Sequence, residues 1–262
     1  MLRAFAARDA AKDVGQLAPF KPPFQRILIW VLLIELALAA WVFLVSHRHT
    51  TAEMTMAPGL RATHFLTDWA VMMAAMMFPA AALMILAFYK DQAVKRPPED
   101  AFVSTWVFVT AYLLVWVLAG TAAYAGMLVA ESAAAHSALG PVVALQFGGA
   151  ILLATGLYQF TPLKQICLSE CRTPIDMTTW RRATAGPFRM GLLHGFYCVG
   201  CNVLLFAALF PLGMTIGAMA VVTLIILAEK TLPWPTSASY TAGVVLVLYG
   251  AVLIASPLLT TH

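Results

Sequence analysis

Seven long apolar runs dominate the chain, at about 27–46, 65–89, 101–130, 141–160, 188–210, 213–230 and 238–257. A helix crossing the hydrocarbon layer of a bilayer uses about 20 mostly apolar residues. Seven such helices take up most of the 262 residues and leave no room for a large extramembrane domain. Charge is also scarce. Only 11% of residues are charged, against about 25% in an ordinary soluble domain, and mean hydropathy is +0.84. This balance excludes a soluble enzyme, a disordered chain and a nucleic-acid binder. The expected fold is an all-α polytopic membrane protein of about seven transmembrane helices.

Basic residues set the expected orientation. With the N-terminus in the cytoplasm, 14 of the 16 Lys and Arg fall on inner segments, and only Arg48 and Arg61 lie outside. The sequence therefore predicts N-in and C-out. Residues 1–26 form a cytoplasmic arm, 27–257 a single transmembrane domain and 258–262 a short outer tail. The arm carries Arg3, Arg8, Lys12, Lys21 and Arg26 without an apolar core, so no cleavable signal peptide is expected. The bacterial inner (plasma) membrane is the expected location, with lipid as the surrounding partner. The third run is long enough that it must tilt, project past the bilayer or break near Gly120. Pro162 to Arg172 predicts a short inner helix, stopped before Pro174 because a residue preceding proline disfavours helix.

The densest chemistry lies in Gly191-Leu-Leu-His194-Gly-Phe-Tyr-Cys198-Val-Gly-Cys201. At 100° per residue, His194, Cys198 and Cys201 share an arc of about 60° on one helix face. Cys198 is expected near the bilayer midplane. Two thiols and an imidazole on one intramembrane arc suit Cu(I) or Zn(II), although buried cysteine can also serve as a small hydrophobe. A second pair, Cys167 and Cys171, sits one helical turn apart. It completes a four-sulfur site if the inner loop folds back on the bundle. In the second run, Met72, Met73, Met76 and Met77 form two i,i+4 pairs before Pro79. Thioethers are soft, uncharged ligands selective for Cu(I), or fillers of irregular gaps.

Three intramembrane or boundary acids, Glu35, Asp68 and Glu229, are costly against lipid. They are expected to face the protein interior or the headgroups, where they can relay protons. Lys230 is expected to snorkel to the inner surface, leaving Glu229 as the buried member. The outer segment His47-Arg48-His49, Met54, Met56 and His64 offers metal-capturing side chains in a solvated loop. No phosphate loop, dinucleotide glycine motif, His-Glu-x-x-His or serine elbow is present, which favours a binding protein over an enzyme.

Three segments together resemble a bacterial family of predicted metal-binding integral membrane proteins. They are Trp69…Met72…Met76-Met77-Phe78-Pro79, then Tyr158 to Pro174 around Pro162-Leu-Lys164-Gln-Ile-Cys167-Leu-Ser-Glu-Cys171-Arg172, then Gly191…Gly195…Tyr197-Cys198-Val-Gly-Cys201. Gly213-Met214, Met219 and Glu229-Lys230 extend the likeness across about residues 65–230. Family members commonly carry another cysteine and an aromatic after the second thiol, where this chain has Asn202 and Val203. The resemblance implies metal handling without naming the ion or its direction. The leading expectation is a membrane protein that binds and moves, or hands on, a soft metal, most often copper and otherwise zinc. A metallochaperone or a larger membrane complex would be its protein partner. The alternatives are a membrane thiol–disulfide oxidoreductase and a non-catalytic accessory or assembly subunit.

Overall fold

The computed structural model describes residues 23–46, 58–137, 140–172 and 186–259. Most of the expected arm, much of the outer segment carrying His47, His49, Met54 and Met56, most of the tail, and Arg181 and Arg182 lie outside the described residues. Eight helices occur among the described residues, and no strand does. They are α1 (Pro23–Ser46), α2 (Pro58–Lys95), α3 (Pro98–Ser137), α4 (Pro141–Tyr158), α5 (Pro162–Arg172), α6 (Pro187–Ala207), α7 (Ile216–Thr231) and α8 (Pro235–Leu259). Seven of the eight begin on a proline. Proline suits the first helical position because its fixed φ is already helical and its missing N–H is one of the unpaired donors there. The exception, α7, is capped by the Thr215 side chain, which accepts from the Ala218 N–H at 3.3 Å.

Five helices are long and apolar enough to cross a membrane. A sixth crossing results if α4 and α5, which meet at a 65° bend, count as one broken span. Helix α7 has 16 residues, about 24 Å of helical rise against a hydrocarbon layer of about 30 Å. The third apolar run does not break at Gly120, because α3 continues for 40 residues. Gly120 is a seat for a ring instead: any side chain there would collide with Trp69 of α2. At the ends of α2 and α3, Arg61 pairs with Glu131.

Helices α2, α3 and α6 form the centre, with α1 packed on α2, α6 on α3, and α8 on α4. Helix α5 folds back against α6 and α7. Pro79 lies inside α2 without breaking it. It has no N–H to offer the carbonyl four residues earlier, Ala75, which would be left unpaired in an apolar interior. The Trp41 indole of α1 donates to that carbonyl at 3.2 Å. The bond thus repairs the backbone and fixes α1 against α2.

Trp41→Phe should therefore destabilise the protein in mixed-micelle unfolding. Part of that cost, about 1 kcal/mol, should vanish in a Pro79→Ala background, where the helix supplies its own donor. Equal costs in the two backgrounds would contradict this role.

Candidate metal centre

Helix α6 places His194, Cys198, Cys201 and Asn202 on its buried face. Their approach to sulfur groups on other helices depends on α5. The apolar and polar positions of α5 are segregated so that Lys164, Leu168 and Cys171 are its buried residues. Lys164 is fully buried and reaches Glu229 of α7, also fully buried, at 2.8 and 2.9 Å. Arg172 closes the same junction by donating to the backbone carbonyls of Glu229, at 2.8 Å, and Leu232, at 2.5 Å. Breaking one side of such a buried pair strands a charge in an apolar setting. The α5–α7 junction is therefore strongly specified.

That junction holds Cys171 with its sulfur 3.7 Å from Cys201 Sγ. The Asn202 amide nitrogen ties Cys201 to Cys198 on α6, 3.2 Å from the first sulfur and 3.6 Å from the second. Cys198 Sγ lies 3.9 Å from the Met77 thioether of α2. Three thiols and one thioether, drawn from α5, α6 and α2, thus meet inside the bundle. All four residues are buried. Metal–sulfur bonds are about 2.3 Å long, so two sulfurs sharing an ion stand at most about 4.6 Å apart. The separations of 3.7 and 3.9 Å fall inside that limit.

Polar groups surround these sulfurs. The Lys230 ammonium of α7 donates to Cys198 Sγ at 3.0 Å. The Asn202 amide donates to Cys201 Sγ at 3.2 Å and to the Cys198 carbonyl at 2.9 Å. The Tyr112 hydroxyl of α3 is 3.2 Å from Cys198 Sγ. The expectation that Lys230 snorkels is therefore corrected: it is buried and turned onto the thiol. Its ammonium gains a sulfur acceptor there, whereas Glu229 is already committed to Lys164. Tyr112, Lys164 and Asn202 were not among the expected site residues. The signal for Lys164 is its i, i+4, i+7 phase with Leu168 and Cys171 on a short amphipathic helix.

His194 is buried, with its ring stacked between Phe108 and Tyr112 at centroid distances of 5.8 and 5.3 Å. Its Nε2 has no hydrogen-bond partner, and neither has Asn202 Oδ1. Cys167 is not brought to the other thiols by any sulfur contact. Its sulfur packs on Gly200, where a side chain would come within 2.8 Å of it, and Cys167 is only half-buried. Met72, Met73 and Met76 are buried along α2, and of the four methionines it is Met77 that contacts a thiol. Asp68 is half-buried at the opposite end of the bundle. Glu35 does not face the interior: it is exposed on α1, between exposed Val31 and Leu36. The helix buries Ile29, Leu33, Ala37 and Ala40 instead.

Among the described residues, no group of three or more His, Cys, Asp and Glu has the placement of a metal site. A closed zinc site needs four such donors in a tetrahedron, so the donor set does not support zinc. The sulfur cluster is completed by a thioether, which selects for softer ions.

Long apolar helices around a sulfur-rich interior describe a bundle compatible with a multi-pass membrane protein. The chain belongs to the PpoB2 family of copper chaperones, which it matches over residues 66–253. No curated protein and no solved structure matches it.

Lys164→Met should cost about 3–5 kcal/mol of stability, because Glu229 keeps a buried charge without its partner. Pairing it with Glu229→Leu should recover most of that loss. In the single variant, Cys171 should react faster with a thiol-directed maleimide as α5 loosens. Unchanged stability and Cys171 reactivity would show that the pair does not hold α5 in place.

Proposed function

We propose that this protein is an integral membrane copper chaperone that carries Cu(I) within the bilayer and passes it on at the inner face. The observation that carries the reading is the meeting of Cys171, Cys198, Cys201 and Met77 in one buried cluster, in a chain of a copper-chaperone family. Thiolate and thioether sulfur favour Cu(I) over hard divalent ions. The unpartnered Nε2 of His194, one turn before Cys198, is a further donor for the ion. Met73 and Met76 continue the line of thioethers along α2. Cys167, half-buried beside Gly200, is the reserve thiol for exchange with a soluble partner.

In this reading the chain spans the bacterial inner membrane seven times with its N-terminus inside, as the basic residues require. Helix α7 is then a short span and α5 a re-entrant piece. The cavity of about 690 Å³ lined by Arg26, Lys90, Asp91, Cys171, Arg172 and Lys230 opens to the cytoplasm. It brings the thiol cluster within reach of an accepting metallochaperone. Glu229 fastens α5 through Lys164. Glu35, on the exposed face of α1, lies off the path.

Copper titration of purified protein against a chromophoric Cu(I) chelator tests the reading. Wild type should hold Cu(I) against the chelator, and Cys198→Ser and Cys201→Ser should each abolish the tightest equivalent. Met77→Leu, which keeps volume and apolarity, should weaken it without unfolding the chain. Absence of tight Cu(I) binding, or binding indifferent to Cys198→Ser, would overturn the proposal. A periplasmic reporter fused after His262 should be active, and cytoplasmic activity there would contradict the topology.

A further inference from the structure

A second cavity, of about 370 Å³, lies at the other end of the bundle, where α2 begins. Four methionines line it: Met72 of α2, Met127 of α3, Met214 of the α6–α7 turn and Met219 of α7. They come from four separate elements, so no single helix stripe explains their meeting. Leucine would line an apolar hollow as well, and what methionine adds is a soft donor.

The backbone supports the same reading. Met214 has φ of +48°, and it is the one non-glycine residue with positive φ among the described residues. That conformation costs an L-residue roughly 1–2 kcal/mol, and glycine adopts it freely. Gly213 beside it also has positive φ, and the Met214 N–H donates to the Leu209 carbonyl at 2.9 Å. A long thioether side chain is thus held at a turn position that favours glycine. The cavity wall also carries one guanidinium, Arg61, and two carboxylates, Asp68 and Glu131. Arg61 and Glu131 pair with each other on that wall. Finally, Met72 is both a wall of this cavity and the first of the buried methionines that lead along α2 to Met77, which touches Cys198.

We propose that this cavity is a second copper site, in which Met72, Met127, Met214 and Met219 bind Cu(I) through thioether sulfur alone, at the outer end of the path to the thiol cluster. The proposal rests on the reading that Cu(I) is the cargo, and it adds a weaker, thiol-free loading point. Thioethers carry no proton and no charge, so an ion held there is released more readily than from thiolates. An ion then moves from weaker to stronger donors as it passes down α2.

The test uses full-length protein with Cu(I), and with Ag(I) as a redox-inert soft probe. Wild type should bind two equivalents, one resisting a strong chelator and one removed by a weak chelator. Met127→Leu/Met214→Leu/Met219→Leu should lose only the weak equivalent, and Cys198→Ser only the strong one. Met214→Leu alone, at the turn, keeps the test open if the triple variant misfolds. It should weaken the second equivalent at least about tenfold and leave the first unchanged. A single equivalent in wild type that disappears with Cys198→Ser would overturn this inference and leave the proposed function standing. So would two equivalents unaffected by the methionine changes. No binding by wild type would remove the proposed function itself, which is a distinct result.

Discussion

The buried ion pair between Lys164 and Glu229 is the contact on which the rest of the centre depends. Without it, α5 has little reason to turn through 65° from α4 and lie against α6 and α7. With it, and with Arg172 on the last carbonyls of α7, Cys171 is delivered to Cys201 and Cys198. A charge pair of this kind adds little net stability compared with apolar packing, but losing one member is costly. It therefore acts as a register device. It fixes where a short polar helix must sit within an apolar bundle, and so which sulfurs meet.

The cluster is notable for what surrounds it as much as for the sulfurs. An ammonium, an amide and a phenol hydroxyl all lie against two buried thiols. Buried polar groups need partners, and here sulfur supplies them. The Lys230 ammonium and the Asn202 amide N–H groups are thus satisfied at the cluster and also orient it, while Asn202 Oδ1 has no partner. The half-buried Cys167, packed on Gly200, lies beside this network without joining it.

Helix content, the long apolar segments and the short helix from Pro162 to Arg172 were legible from run length and proline placement. Helix starts were encoded more sharply than hydropathy alone suggests, since proline opens seven of the eight helices. The residues of the sulfur cluster were legible as a set, because cysteines and methionines at mid-depth are conspicuous. Their grouping was not. Which of Cys167 and Cys171 turns inward depends on how α5 is rotated, and a distant carboxylate on α7 sets that rotation. Lys230 was misjudged for a related reason. Snorkelling follows from a lysine near a helix end, but the thiol that holds it inward lies 32 residues away in sequence. Which face of α1 is buried, and so that Glu35 lies on its exposed side, follows from the contact with α2. The four methionines of the second cavity are scattered over 148 positions, from Met72 to Met219, and only the fold collects them.

The central claim is that one Cu(I) ion is held by sulfur from α5, α6 and α2 together. X-ray absorption at the copper edge, on protein loaded with one equivalent, tests it most directly. The account predicts Cu(I) in a sulfur-dominated shell at about 2.3 Å, altered by Cys171→Ser as well as by Cys198→Ser and Cys201→Ser. A shell of oxygen and nitrogen, or a sulfur shell unchanged by Cys171→Ser, would contradict it.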